Sequence, residues 1–168
     1  MRAGSADGSA SAERAYCWMA AELLQIDEIE ALLRECRTIA VLGAHWQPSR
    51  PAFYVPDYLH RVGYRILPIN PRLVDRALWG QPVRASLSEL EERVDLVDVF
   101  RPSRALPGHL EELLGMRPRP RAVWFQSGIR HDAVAAALIE GGIEIVQDRC
   151  TYADHRNLAI PRLDDASR

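Results

Sequence analysis

The chain has 168 residues, of which 48% are hydrophobic and 26% charged, and its formal net charge is −2. This composition is ordinary for one folded domain, and the nearly neutral charge predicts neither a nucleic-acid partner nor an anionic membrane surface. All 21 basic residues are arginine, which excludes a Schiff-base lysine and a Walker-type phosphate lysine.

The cysteines and the apolar runs indicate the cellular compartment of the protein. Three cysteines without CxxC spacing predict reduced thiols in the cytoplasm and no zinc site; they are Cys17, Cys36 and Cys150. No apolar run approaches the ~20 residues of a membrane span. Residues 1–15 lack the apolar stretch of a secretory signal and are predicted to be a disordered tail.

Residues 16–160 are predicted to form a single domain that opens with a helix, and residues 161–168 a flexible C-terminal tail. From about residue 18, apolar residues recur at near-helical spacing. The positions that carry this pattern are Leu23, Ile26, Ile29, Leu33 and Cys36.

Five short apolar runs then alternate with helical patterns, as strands buried on both faces would. The predicted strands are Thr38–Leu42, Arg65–Ile69, Leu96–Phe100, Ala122–Phe125 and Ile143–Val146. Pro68 places the second run at a sheet edge or strand end. The predicted helices carry the stripe Val55, Tyr58, Leu59 and Val62, a capping box at Ser86–Glu89, the leucines 106–114, and residues 132–140. This order predicts an α/β, Rossmann-like fold with a doubly wound, parallel five-stranded sheet and helices on both faces.

Ligands of such sheets bind beyond the carboxyl ends of the strands, and arginine follows every predicted strand here. The five positions are Arg50, Arg72, Arg101, Arg130 and Arg149. This pattern favours an anionic ligand, although solvated loop arginines would look the same. The pyrophosphate of a nucleotide would rest on backbone N–H groups of the 44–52 loop and on the N-terminus of the helix that follows.

The loop after the first strand does not fit an ordinary dinucleotide site. Gly43 is its only glycine in the GxGxxG frame. The second strand ends in Asn70-Pro71-Arg72, with no acidic residue for ribose hydroxyls, and Arg72 would favour a phosphorylated ribose. NADP and coenzyme A both satisfy this description.

Four blocks carry a family resemblance: GAHWQPSRPAFYVPDYLHRVGYRILPINP, VDLVDVFRPS, AVWFQSGIR and VQDRCTYADH. From about Thr38 to Leu158 the chain resembles the CoA-binding domain family of small stand-alone Rossmann proteins. These proteins are similar to the nucleotide-binding domain of the succinyl-CoA synthetase alpha subunit. The resemblance implies a parallel Rossmann sheet with coenzyme A at the carboxyl ends of its strands.

The resemblance also implies roles for individual positions. Gly43, Ala44 and Arg50 would meet the phosphates, and Asn70, Pro71 and Arg72 would border the adenosine and its 3′-phosphate. Phe100 and Arg101 would line the adenine or pantetheine side, and Gln126 and Gly128 the pantetheine path. His45 and Trp46 stand where the family usually has a small residue or serine, so they narrow the site or stack on the ligand.

The remaining candidates are single residues. Cys150 has two interpretations, a thiol near the CoA thiol that Arg149 activates, or a small packing residue, and the sequence favours packing. Asp148 is expected to orient Arg149 or a loop amide. His131 is expected to touch a phosphate or to open a helix, and His155 to be a surface or cap residue.

No catalytic apparatus or metal-ligand cluster is visible in the sequence. The main hypothesis is therefore a cytoplasmic protein that binds coenzyme A or an acyl-CoA as a sensor, carrier or accessory protein, and that is not an enzyme. The alternatives are an NADP-dependent oxidoreductase and an interaction module with a vestigial nucleotide pocket. A small-molecule ligand is the expected partner, and a homodimer is left open.

Overall fold

The computed structural model describes residues 20–163. The predicted tail at residues 1–15, the thiol of Cys17 and residues 164–168 lie outside this range. Within it, no helix is both long and apolar enough to cross a membrane.

The described chain alternates strands and helices. The strands are β1 (Thr38–Leu42), β2 (Arg65–Ile69), β3 (Ala77–Leu78), β4 (Gln81–Pro82), β5 (Leu96–Val99), β6 (Ala122–Phe125) and β7 (Glu144–Val146). The α-helices are α1 (Ile26–Glu35), α2 (Pro51–Arg61), α3 (Leu110–Gly115), α4 (Asp132–Glu140) and α5 (Thr151–Asn157). Two 3₁₀ segments cover Leu87–Glu89 and Ser103–His109.

Five parallel strands form the main sheet in the order β2-β1-β5-β6-β7, and β3 and β4 form a separate antiparallel pair. One apolar cluster lies on the face covered by α1, α2 and α5, and includes Ile29, Leu59 and Trp124. The other lies under α3 and α4, and includes Leu113 and Leu138. The predicted doubly wound α/β fold is confirmed, and Pro68 lies in the edge strand β2 as expected.

The chain before α1 differs from the prediction. The helix begins at Ile26 rather than near residue 18, and residues 21–23 run beside β7 instead. Leu23 N–H donates to Ile145 O at 2.7 Å, and Ile145 N–H donates to Ala21 O at 3.0 Å. The helical spacing of apolar residues across this segment is a coincidence. The edge of the sheet supplies hydrogen-bond partners for its backbone, and a sequence pattern does not show such partners.

Two predicted helices are shorter than expected. The predicted capping box at Ser86 is wrong, because Ser86 makes no side-chain cap bond and Leu87–Glu89 forms only a 3₁₀ turn. The stretch of leucines 106–114 is divided into the second 3₁₀ segment and α3. Pro107 lies inside that 3₁₀ segment and has no N–H to donate.

The last described residues return to α2. Leu163 N–H donates to Val62 O at 2.9 Å, and Arg162 Nη2 donates to Arg61 O at 2.6 Å. Residues 161–163 therefore contact the domain, although the sequence prediction placed them in a flexible tail.

Candidate functional site

The strand order reverses beside β1. The chain leaves β1 for β2 on one side and later crosses to β5 on the other, so the carboxyl ends of β1 and β5 flank the switch point. Gly43 directly follows β1 with a φ of +94°, a conformation that glycine adopts without a steric penalty. Its N–H donates to Ile69 O at 2.9 Å, and Phe100 N–H donates to Leu42 O at 2.9 Å. Open sheets of this kind bind ligands at such a point.

A cleft of about 450 Å³ lies at this carboxyl edge of the sheet, which is a size typical of small-molecule sites. The loop after β1, the start of α2 and the ends of β5, β6 and β7 all contribute to it. Its lining residues are Gly43, His45, Arg50, Pro51, Ala52, Tyr54, Val55, Phe100, Gln126, Ser127, Ile129 and Cys150.

The N-terminus of α2 opens onto this cleft. Arg50 occupies the N-cap position, where its side chain accepts no hydrogen bond from the helix, and Pro51 follows at the first helical position. The first turn contains no acidic residue. The partial positive charge of the helix terminus is therefore not neutralised by an acidic side chain of that turn, and the guanidinium of Arg50 adds to it.

Some backbone N–H groups of the loop between β1 and α2 already donate hydrogen bonds to acceptors in the loop or at the start of α2. His45 N–H donates to Ala52 O at 3.1 Å, and Gln47 N–H donates to His45 Nδ1 at 3.0 Å. Within the described residues, the N–H groups of Trp46, Ser49 and Ala52 have no acceptor. The set of amides that could hold a pyrophosphate is thus smaller than the whole 44–52 loop.

The arginines after β6 and β7 are paired with acids. Arg130 lies 2.9 Å from Asp132 Oδ1 and 3.3 Å from Glu22 Oε1. Arg149 donates to both carboxylate oxygens of Asp154, at 2.8 and 2.6 Å, and this partner raises the pKa of Arg149. These two guanidiniums are already neutralised, so they do not supply positive charge for an anionic ligand.

The arginines after β1, β2 and β5 are not paired with acidic side chains of the described residues. Arg50, Arg72 and Arg101 form no ion pair with a carboxylate among residues 20–163. Arg101 is half-buried, and its Nε has no hydrogen-bond partner in the described chain although it is shielded from solvent. Uncompensated positive charge is therefore concentrated on the β2-β1-β5 side of the carboxyl edge.

Asn70 joins the loops after β1 and β2. Its Nδ2 donates to Ala44 O at 2.8 Å, and its Oδ1 accepts from Arg72 N–H at 3.0 Å. Asn70 and Ala44 are buried, whereas Pro71 and Arg72 are exposed. The amide of Asn70 thus holds the backbone that carries Arg72.

A buried polar network lies behind the cleft. The side chain of Asp98 in β5 is fully buried and accepts hydrogen bonds from Gln126 Nε2 at 2.7 and 3.0 Å, and from Thr151 Oγ1 at 3.1 Å. Burial raises the pKa of Asp98 to about 7, against the opposing effect of these hydrogen bonds.

Of the described cysteines, one lies at the cleft and one in the core. Cys150 is half-buried at the N-cap of α5 and lines the cleft. Cys36 is buried, and burial raises the pKa of its thiol to about 12. Arg149 is bound by Asp154 and is not free to activate the thiol of Cys150, a role that one of the two interpretations of the sequence predicted.

The histidines have separate surroundings. His155 was expected at the surface but is buried, because α5 packs it against Tyr58 and Tyr64. Its Nδ1 lies 2.9 Å from Tyr58 Oη, and burial lowers its pKa. His131 opens α4, where its Nδ1 accepts from Val134 N–H at 3.3 Å.

Trp46 is an exposed aromatic residue beside the cleft. Its ring stacks on His45 with 6.2 Å between centroids, and the guanidinium carbon of Arg76 lies 4.8 Å from the ring centroid. Trp46 is 43% exposed, whereas Trp124 is buried in the core. Of the two stacked rings, His45 lines the cleft and Trp46 does not.

The structure brings half of the predicted site residues together around the cleft. Those that line it are Gly43, His45, Arg50, Phe100, Gln126 and Cys150, and those that do not are Ala44, Asn70, Pro71, Arg72, Arg101 and Gly128. Gly128 N–H donates to Asp148 Oδ1 at 2.6 Å, which is the loop-amide role expected for Asp148.

Sequence reasoning missed Tyr54 and Ile129, which line the cleft, and the network partner Asp98. A lone carboxylate inside the apolar run LVDVF was the one available signal for Asp98. No group of three or more potential metal ligands occurs within residues 20–163.

Comparisons with known proteins agree with this architecture. The family described as the CoA binding domain matches residues 37–156. The uncharacterized protein YneT of Bacillus subtilis is 34% identical over 128 residues, which cover 76% of this chain and 92% of YneT. The structure of cell-free ID.343 from Thermus thermophilus is 52% identical, with a TM-score of 0.77, and the match covers 80% of this chain and 99% of that one. A hypothetical protein from Pyrococcus horikoshii OT3 is 26% identical, with a TM-score of 0.75 and coverages of 81% and 93%.

Proposed function

This chain belongs to the CoA-binding domain family, and from that premise we propose that it binds coenzyme A, or an acyl-CoA, in the cleft at the carboxyl edge of its sheet. The observation that carries the proposal is the combination of an uncapped N-terminus of α2 with arginines that have no acidic partner in the described chain, Arg50, Arg72 and Arg101. A phosphorylated ligand would supply the missing negative charge.

The charges suggest how the ligand lies. The pyrophosphate takes the N-terminus of α2, where Ala52 N–H and the guanidinium of Arg50 meet it. The adenosine end extends over β1 and β2, so that Arg72 contacts the 3′-phosphate. The pantetheine arm follows the cleft past Phe100 and Gln126 toward Cys150.

We propose a sensor, carrier or accessory role in the cytoplasm, without catalysis of its own. The support for this role is the absence of a nucleophile–base pair on the cleft in residues 20–163: His45 Nδ1 accepts from a backbone N–H, and His155 is buried against Tyr58. Asp154 is bound to Arg149 rather than to the adjacent His155.

An NADP-dependent oxidoreductase is the rival, because Arg72 would equally suit a phosphate on the ribose of NADP. Isothermal titration of one protein preparation with CoA, acetyl-CoA and NADPH separates the two. We expect CoA or acetyl-CoA to bind and NADPH to bind at least tenfold more weakly. NADPH binding without CoA binding would replace this proposal with the rival.

Native mass spectrometry of the freshly purified protein complements the titration, because a retained ligand is identified by its mass. We expect a retained mass that corresponds to CoA or an acyl-CoA. Failure of all three nucleotides to bind, together with a defined dimer in solution, would favour an interaction module with a vestigial pocket.

A further inference from the structure

Gln126 is buried at the end of β6 and lines the cleft. Its Nε2 lies 2.7 and 3.0 Å from the two oxygens of Asp98 and 2.7 Å from Thr151 Oγ1. Thr151 Oγ1 also lies 3.1 Å from Asp98 Oδ2. The three side chains form a closed triangle inside the domain.

The protons of this triangle can be assigned from the chemistry of its groups. An ionised Asp98 can only accept, so the hydroxyl of Thr151 donates to it and the lone pairs of that hydroxyl accept from Gln126. The other N–H of Gln126 donates to Asp98. Both amide protons are then used, and the carbonyl Oε1 is the only polar atom of Gln126 left for a ligand.

The reverse orientation of the amide is unfavourable. It would turn Gln126 Oε1 toward the carboxylate of Asp98, so that two buried acceptors faced each other without a proton between them. It would also leave the hydroxyl oxygen of Thr151 without its donor. While Asp98 is ionised, the buried pair thus fixes which end of the Gln126 amide faces the cleft.

We propose that Asp98 and Thr151 are positioning residues that hold Gln126 with Oε1 toward the cleft, so that the site selects a ligand chain bearing an amide N–H at this point. The pantetheine arm of coenzyme A carries such N–H groups. This inference rests on the proposed function for the identity of the ligand, whereas the fixed orientation of Gln126 does not depend on it.

The binding test is carried out at pH 8 and compares CoA with two analogues. In each analogue, an ester oxygen replaces the N–H of one of the two pantetheine amides. We expect the wild-type protein to bind one of the analogues about tenfold more weakly than CoA, because a carbonyl oxygen then faces an ester oxygen. Asp98→Asn lets the amide turn, since asparagine can donate to Oε1, and the preference should fall to within about twofold. Thr151→Ser should retain the preference and Thr151→Val should reduce it.

The second readout needs no ligand. At pH 8, as in the binding test, the side-chain NH₂ protons of Gln126 should exchange slowly with solvent in the NMR spectrum of the wild-type protein and of Thr151→Ser, and faster in Asp98→Asn. Gln147 is the internal reference, because its buried amide bonds Glu22 and Asp132 away from this triangle and should not change.

The outcomes separate the two proposals. If the wild-type protein does not bind CoA, the proposed function fails, and the exchange of the Gln126 protons alone decides whether its orientation is fixed. If CoA binds but both analogues bind equally well, or if Asp98→Asn keeps the tenfold preference and the slow exchange, the inference is overturned.

Discussion

Gly43 lies directly against the side chain of Arg101. A Cβ atom on Gly43 would lie 3.3 Å from Arg101 Cδ and 3.5 Å from Arg101 Nε. The two residues follow β1 and β5, the strands that flank the switch point. The glycine therefore leaves space for a guanidinium that has no partner of its own in the described chain.

Gly43→Ala should both destabilise the protein and weaken CoA binding. The φ of +94° makes alanine unfavourable, so we expect a loss of about 1–2 kcal/mol in the free energy of unfolding. The methyl group should also displace Arg101 and lower CoA affinity about tenfold, measured by titration calorimetry.

Gly80→Ala is the matched control for this effect. Gly80 has a φ of +75°, but a Cβ atom there would meet nothing within 4 Å. We expect a similar loss of stability with unchanged CoA affinity. If both variants bind CoA like the wild-type protein, Arg101 has no part in the site.

Arg72→Ala should distinguish CoA from dephospho-CoA. Arg72 is exposed and has no carboxylate partner in the described residues, so its removal deletes only the proposed contact with the 3′-phosphate. We expect about tenfold weaker binding of CoA and a change within about twofold for dephospho-CoA.

Arg93 provides the control for Arg72. It is an exposed arginine before β5, at the opposite edge of the sheet, and its partner Asp95 lies 3.3 Å away. Arg93→Ala should leave the affinities for both ligands unchanged. Equal losses for CoA and dephospho-CoA in Arg72→Ala would remove the assignment of the 3′-phosphate.

The stability of the protein should depend on pH through Asp98. The pKa of Asp98 rises from 3.8 to about 7 on folding, so between these values the folded protein keeps a proton that the unfolded chain releases. Stability therefore falls as the pH rises through this window, and above it the contribution of Asp98 is constant.

Asp98→Asn should remove this pH dependence. Since one pKa unit corresponds to about 1.4 kcal/mol, we expect the stability of the variant relative to the wild-type protein to rise by about 2–4 kcal/mol from pH 4 to pH 8. Urea denaturation at both pH values measures it. A constant difference between variant and wild type would show that Asp98 titrates normally.

Cys150 should form a mixed disulfide with the ligand when CoA disulfide is supplied. The Cys150 thiolate would attack one sulfur of the CoA disulfide, form a new S–S bond and release one CoA thiolate. Cys150 lines the cleft, whereas Cys36 is buried and burial raises its pKa to about 12, so of these two described cysteines Cys150 alone should react. Intact mass spectrometry of Cys17→Ser should show one CoA adduct.

The control for this experiment is the double variant Cys17→Ser, Cys150→Ser, which should show no adduct. An adduct that persists there would place the reaction on Cys36. A protein that binds CoA but forms no adduct in either variant would leave Cys150 with a packing role.

The sequence predicted the sheet well because buried parallel strands are nearly continuous apolar runs. The runs at Thr38 and Arg65 have the bounds of β1 and β2, and Gly43 directly follows β1 as predicted. Residues 21–23 were assigned to a helix because their partner, Ile145, is distant in the sequence.

The site was harder to predict because a sequence pattern does not show which acidic side chain folds back onto which arginine. Each of two arginines has an acid close by in the sequence, Asp154 five residues after Arg149 and Asp98 three residues before Arg101. Asp154 binds Arg149, whereas Asp98 binds Gln126 and Thr151 instead. His155 is buried by contacts with Tyr58 and Tyr64, which a single-sequence pattern does not reveal.

The central claim is that CoA occupies the cleft with its phosphates at the N-terminus of α2, and a crystal structure of the CoA complex tests it most directly. We expect the pyrophosphate beside Ala52 N–H and Arg50, and the 3′-phosphate within hydrogen-bond distance of Arg72. A nucleotide bound elsewhere on the surface, or a cleft that stays empty at saturating CoA, would contradict the claim.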